Sequence, residues 1–108
     1  MIHGKNLIDG AWVASASTFT SADLSGQTFP SAGQSDVDAA CSAAKRDFRA
    51  YAAVSRSARA AFLRACADQI DTLGDEITQT AMAETGLPEG RLVGERGRTT
   101  GQLKMFAD

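Results

Sequence analysis

The residues of this chain most able to do chemistry lie close together, in Gly94-Glu95-Arg96-Gly97-Arg98-Thr99-Thr100. Glycines beside cations and hydroxyls can cradle a phosphate, but a Walker loop needs four residues between its glycines and a lysine after the second. Here the gap is two residues and the cation is arginine. A G-x-G-x-x-G turn for a dinucleotide and a G-x-S-x-G nucleophile elbow are both absent. No pair of carboxylates has neighbours that would push one pKa up for acid–base work. Cys41 and Cys66 lack a second thiol or histidine at metal-ligand spacing and read as small core residues on apolar helix faces. His3, the single histidine, has no partner for a proton relay or a metal site and is assigned no function. These residues make no complete catalytic, cofactor-binding or metal set, so the chain taken alone is expected to be catalytically silent.

The elements that must carry these residues change character along the chain. Asn6 to Val13 reads as two short strands joined by a tight turn at Asp9-Gly10. Thr18-Phe19-Thr20 and Thr28-Phe29-Pro30 flank a second turn-like stretch, Asp23 to Gln27. From Ser35 the period becomes helical. Ser35 and Asp38 form an S-x-x-D capping box ahead of a face made by Val37, Cys41, Ala44 and Phe48, in a helix ending near Tyr51. Ser55 is the predicted N-cap of a second helix with Arg59, Phe62, Leu63, Cys66, Ala67, Ile70 and Leu73 on its packing face, and Gly74 is its predicted left-handed stop. A third helix is expected from about Asp75 to Glu84, with Ile77, Ala81 and Met82 inward, halting at Thr85-Gly86. Pro88 suits the first turn of a fourth.

On that fourth helix Leu92, Thr99, Leu103 and Phe106 make an apolar stripe, and Arg91, Glu95, Arg98 and Gln102 a polar one with charge pairing at i,i+3 and i,i+4. The polar row reads either as a solvated face or as a face covered by whatever packs along the glycines beside it. Gly86, Gly90, Gly94, Gly97 and Gly101 recur at intervals of three or four, so on a helix they align. Each glycine inside a helix costs about 1 kcal/mol against alanine. Such a row makes sense where another element presses on it, and the chain is therefore expected to be part of a larger assembly.

Composition bounds the rest. One domain fits in 108 residues, and 11 basic against 13 acidic residues provide no basic surplus for a nucleic-acid partner. No apolar run has the length of a membrane span and the start lacks a signal-peptide core, so a soluble cytoplasmic setting without membrane partners is expected.

Taken in order, Asn6 to Val13, a Gly26 turn, Asp36-Val37-Asp38-Ala39-Ala40, Arg59-Ala60-Ala61-Phe62-Leu63, Ala67-Asp68-Gln69-Ile70 and Glu84-Thr85-Gly86-Leu87-Pro88 resemble the opening of an aldehyde dehydrogenase. Arg91 to Leu103 resembles most the α-ketoglutarate semialdehyde (2,5-dioxovalerate) dehydrogenase group, related to NADP-dependent fatty aldehyde dehydrogenases. Where many members carry an N-P-x-T-G turn, this chain has Ala22-Asp23-Leu24-Ser25-Gly26. The resemblance implies an α/β parent fold whose segment here is short strands and hairpins followed by about four helices. Residues 1–34 would be the strands and 35–108 the helical part of the cofactor-binding domain, together one incomplete segment.

The resemblance further implies a parent enzyme that oxidises an aldehyde to an acid. A cysteine thiolate attacks the carbonyl, hydride passes to NAD or NADP, and a glutamate-activated water releases the acid. The family's nucleophile, base, oxyanion asparagine and cofactor segment map onto no residue here, so neither cofactor is expected to bind this segment alone. The helix after the G-x-P step borders the family's substrate entrance, which makes Glu95, Arg98, Thr99 and Gln102 candidates for its wall. Arg98 is the natural counter-charge for a semialdehyde's carboxylate. The implied partners are the remainder of a dehydrogenase chain, a small aldehyde and further copies in a homo-oligomer, and the isolated segment is expected to associate through exposed apolar surface. The alternative is an independent, non-enzymatic helical interaction module that binds another chain through the glycine row.

Overall fold

A computed structural model describes residues 4–21 and 26–108. The His3 assignment and the Asp23–Ser25 part of the second turn lie outside the described residues. Strands β1 (Asn6–Ile8) and β2 (Ala11–Val13) pair antiparallel, with Leu7 opposite Trp12. Asp9 and Gly10 connect them with φ of 52° and 74°. Positive φ at both central residues is what a two-residue turn needs to match strand twist, and Asp-Gly adopts it at low cost. Strands β3 (Ser17–Thr20) and β4 (Thr28–Ser31) form a second antiparallel ribbon, where Phe19 and Phe29 face each other with ring centroids 5.8 Å apart. Pro30 is tolerated because a two-stranded ribbon consists of edges only.

Helix α1 (Gln34–Ala52) follows at once. Its cap differs from the expected Ser35/Asp38 box. Gly33 is the N-cap, and the Asp36 carboxylate accepts from the Gly33 N–H and from the Ser15 hydroxyl, both at 2.9 Å. One carboxylate thereby closes the helix start and ties it to the segment between the ribbons. Ala43 is the buried residue of α1, and Arg46 reaches both carboxylate oxygens of Asp9 in the first turn. The Asp9 and Asp47 carboxylates push the Arg46 pKa further up, keeping the guanidinium charged. The expected packing face therefore points the other way. Val37, Cys41, Ala44 and Phe48 are all exposed, Phe48 at 68%, so Cys41 is a surface thiol and not a core residue.

These elements form one compact unit, residues 1–53, and residues 54–108 form a second. In the second, helix α2 (Arg56–Thr72) begins where Ser55 accepts from the Ala58 N–H at 3.2 Å, as a serine N-cap should. Leu63, Cys66, Ala67 and Ile70 face inward to different degrees, with Ala67 fully buried, while Phe62 and Leu73 are half-exposed. Helix α3 (Gly74–Thr85) starts one residue after α2 ends. Gly74 is thus its first residue and is not the left-handed stop expected; the interruption falls on Leu73 at φ −86° and ψ 10°. Gly86 does end α3 in the left-handed conformation, at φ 66°, with its N–H on the Met82 carbonyl at 2.9 Å. Pro88 caps helix α4 (Glu89–Ala107) from one position before its first residue.

Helix α4 packs mainly on α2 and also on α3. Its inward stripe is Leu92, Arg96, Thr100, Leu103 and Ala107, spaced four, four, three and four apart. This corrects the apolar stripe read from the sequence: Leu92 and Leu103 belong to it, whereas Thr99 and Phe106 are exposed, Phe106 at 75%. The far end of the packing is fixed by Arg64, which donates to the Ala107 carbonyl and pairs with Asp108, and by Lys104, which pairs with Asp71 at 3.1 Å. Gly90, Gly94, Gly97 and Gly101 fall on the side of α4 away from this stripe, and nothing lies within 4 Å of where their side chains would start. Gly86 is not part of that row, because it closes the preceding helix.

Candidate functional site

The four residues expected to wall a site sit on α4, and the structure treats them unequally. An apolar groove of about 340 Å³ runs between α2, α3 and α4, lined by Ile70, Ile77, Ala81 and Leu92 with Glu95, Arg96 and Thr99. Glu95 and Thr99 are thus brought to one cavity. Arg98 lies beside it, 71% exposed, with Nη2 3.3 Å from the Glu95 carboxylate. Gln102 is exposed and does not line the groove. The Thr99 hydroxyl donates to the Glu95 carbonyl one turn back, at 3.0 Å.

Arg96 is the residue that sequence reasoning overlooked. Its guanidinium lies against the bare Cα of Gly74, where a Cβ would fall within 2.6 Å of Cζ, and its Nη1 donates to the Thr78 hydroxyl at 3.1 Å. Thr78, buried, donates its own proton to the Gly74 carbonyl at 2.8 Å. Glycine is required here for close approach, not for backbone freedom. The signal that could have revealed it was spacing: Arg96 stands four residues from Leu92 and four from Thr100, so it shares their face.

Each polar side chain lining the groove has at least one partner: Glu95 pairs with Arg98, Arg96 donates to Thr78, and Thr99 donates to the Glu95 carbonyl. Among the described residues no cluster of three or more His, Cys, Asp or Glu could hold a metal, and no helix is long and apolar enough to cross a membrane. The helix starts are also poor seats for a dinucleotide phosphate. Asp36, the pair Asp75 and Glu76, and Glu89 occupy the first turns of α1, α3 and α4, and at α2 the Ser55 side chain takes up a first-turn N–H. Negative charge at those positions opposes the anion attraction that a helix dipole otherwise supplies.

The sequence profile described as the Aldehyde dehydrogenase family matches residues 15–108. An α-ketoglutaric semialdehyde dehydrogenase 2 of Azospirillum brasilense is 49% identical over 96% of this chain, and an α-ketoglutaric semialdehyde dehydrogenase of Acinetobacter baylyi is 41% identical over 98%. The chain spans 21% of the length of each of these relatives. Among solved structures, an NAD-dependent benzaldehyde dehydrogenase from Corynebacterium glutamicum superposes with a TM-score of 0.88 at 26% identity, over 96% of this chain and 24% of that one. These matches do not favour the independent interaction module. A profile match over nearly the whole sequence, with the expected order of hairpins and four helices, makes this chain a member of the aldehyde dehydrogenase family.

Proposed function

We propose that the chain supplies the amino-terminal strands and first helices of a nicotinamide-dependent aldehyde dehydrogenase that oxidises α-ketoglutarate semialdehyde, or a semialdehyde close to it, to the acid. The observation that carries this reading is the 49% identity to the Azospirillum enzyme over nearly all of the chain. The cofactor is NAD in the Corynebacterium relative's description, and NAD or NADP serves here. The residues present do not fit that group, given the acidic first turns of α1, α3 and α4 and the filled cap of α2, so its binding and the covalent chemistry belong to polypeptide outside this stretch. Residues 35–108 act as the helical part of the cofactor-binding domain without touching the cofactor's phosphates.

Within this stretch the contribution to function is one wall of the substrate entrance, built by Glu95, Arg98, Thr99 and Gln102. Arg98 is restrained only by an exposed pair with Glu95, and such pairs contribute about 0–1 kcal/mol. A charge-assisted bond from a guanidinium to a substrate carboxylate contributes roughly 1.5–3 kcal/mol, enough to draw Arg98 off Glu95. The test is a chimera in which this chain replaces the matching fifth of the Azospirillum enzyme. It should oxidise α-ketoglutarate semialdehyde with NAD or NADP reduction. A folded chimera that binds the cofactor yet oxidises only aldehydes lacking a carboxylate would overturn the substrate assignment.

A further inference from the structure

Helix α4 is tied down unevenly along its length. Toward its end Arg64 holds the Ala107 carbonyl and Asp108, Lys104 holds Asp71, and Thr100 and Ala107 are buried. Its first half runs along the apolar groove of about 340 Å³, so packing on that side leaves room for the helix to turn about its axis. There Arg96 supplies the tie to α3. The guanidinium lies over the bare Cα of Gly74 and donates to Thr78, whose own proton goes to the Gly74 carbonyl. Because arginine only donates, the sense of this relay is fixed: the threonine oxygen accepts from Nη1 and its hydrogen points at the carbonyl. A leucine could fill the gap over Gly74 without taking a charge partly out of water, and what the arginine adds is direction.

The rotation of α4 matters most to residues on it that do not touch α3. Thr99, Glu95 and Arg98 stand about 60°, 100° and 160° around the helix from Arg96, all to the same side. A side-chain tip about 6 Å from the axis travels about 2 Å for roughly every 20° of rotation, and a misplacement of about 1 Å can cost a hundredfold in rate. We propose that Arg96 is a positioning residue for the substrate entrance: clamped on Gly74 and Thr78, it fixes the rotation of α4 and with it the place of the Glu95–Arg98 pair at the edge of the groove. This rests on the proposed function for what Arg98 meets there, and on helices α3 and α4 alone for the clamp.

Arg96→Met keeps a long side chain over Gly74 and loses the hydrogen bond to Thr78. In the chimera with the Azospirillum enzyme it should raise KM for α-ketoglutarate semialdehyde about fivefold or more, with kcat and the KM of an uncharged aldehyde within about twofold. In the Arg98→Ala background the same change should add less than about twofold, because a residue that acts through Arg98 then has nothing left to position. Equal rises in both backgrounds, or for both substrates, would overturn the proposal, and so would a KM that does not move. A folded chimera that oxidises no semialdehyde, or whose KM ignores Arg98→Ala, would overturn the function proposed for the wall instead. In that case, and for a chimera that does not fold, amide hydrogen exchange in the 108-residue chain decides the clamp. Arg96→Met should speed exchange from Val93 to Thr99 at least about tenfold, while Lys104 to Ala107, at the end held by Arg64 and Asp71, stays within about twofold. A uniform change along α4, or none, would show that Arg96 only fills space and would overturn the proposal.

Discussion

At Gly74 the space of a side chain is filled by the Arg96 guanidinium, whereas at Gly97 it is empty, and the two glycines should respond to alanine with opposite signs. Gly74→Ala must displace Arg96 and weaken its bond to Thr78, a local overpacking that costs about 1–3 kcal/mol. Gly97→Ala meets no atom and only gains helix propensity, so it should stabilise the isolated chain by up to about 1 kcal/mol. Urea unfolding followed by helix signal separates them; a loss for both would mean that the glycine row is packed within this chain. Arg98 supplies the second prediction at this scale. In the active chimera, Arg98→Ala should raise KM for the semialdehyde about tenfold or more, with little change for an uncharged aldehyde of equal length. An equal loss for both substrates would reduce Arg98 to a partner of Glu95. Of the four candidate residues, Glu95 and Thr99 line the groove, yet the sequence set them apart, Glu95 in the polar row and Thr99 in the apolar stripe, because only the packing of α2 and α3 brings the edges of the two rows to one cavity. Arg96 was not legible either, because what admits an arginine to the inward stripe is the bare Cα of Gly74, which stands on a different helix and comes near only once the chain has folded.

Local chemistry decided which elements could be read in advance. Asp9-Gly10 and Gly86 act through their own backbone, in a turn and a C-cap, and Ser55 through a hydroxyl that accepts from an N–H three residues on, and each stands where its residue type says it should. The start of α1 was misplaced because the acceptor for Gly33 is chosen by tertiary structure: Asp36 also has to hold Ser15, twenty-one residues earlier. The break at Leu73 has no local signal, and the apparent signal at Gly74 belongs to Arg96. Rotation of α1 was misjudged for a related reason, since periodicity finds an apolar face but does not say whether its cover lies within the chain. The cap assignment leads to a contrast between neighbours. Asp36→Ala removes two hydrogen bonds and should destabilise the hairpin-and-helix unit by about 1–2 kcal/mol, while Ser35→Ala should stay within about 0.5 kcal/mol. Trp12, the single tryptophan, lies in β2 of the same unit, so its fluorescence can follow that unfolding. Equal effects would return the cap to Ser35.

For the molecule as a whole the deciding quantity is exposed apolar surface. Among the described residues the buried apolar ones are Ala43, Ala67 and Ala107, while Leu7, Phe19, Phe48, Met105 and Phe106 are more than half exposed. Alanines bury little area, so hydrophobic stabilisation of the isolated chain is small, and the large side chains that would supply it face water. The isolated chain should therefore self-associate at micromolar concentration and bind a dye for apolar surface. In the chimera the same residues would be covered, and both dye binding and association through them should fall away. Sedimentation velocity and dye titration on the two proteins make the comparison. A monomeric isolated chain with a sharp calorimetric transition would show that these helices satisfy themselves, and the large exposed side chains would then need an explanation other than missing dehydrogenase polypeptide.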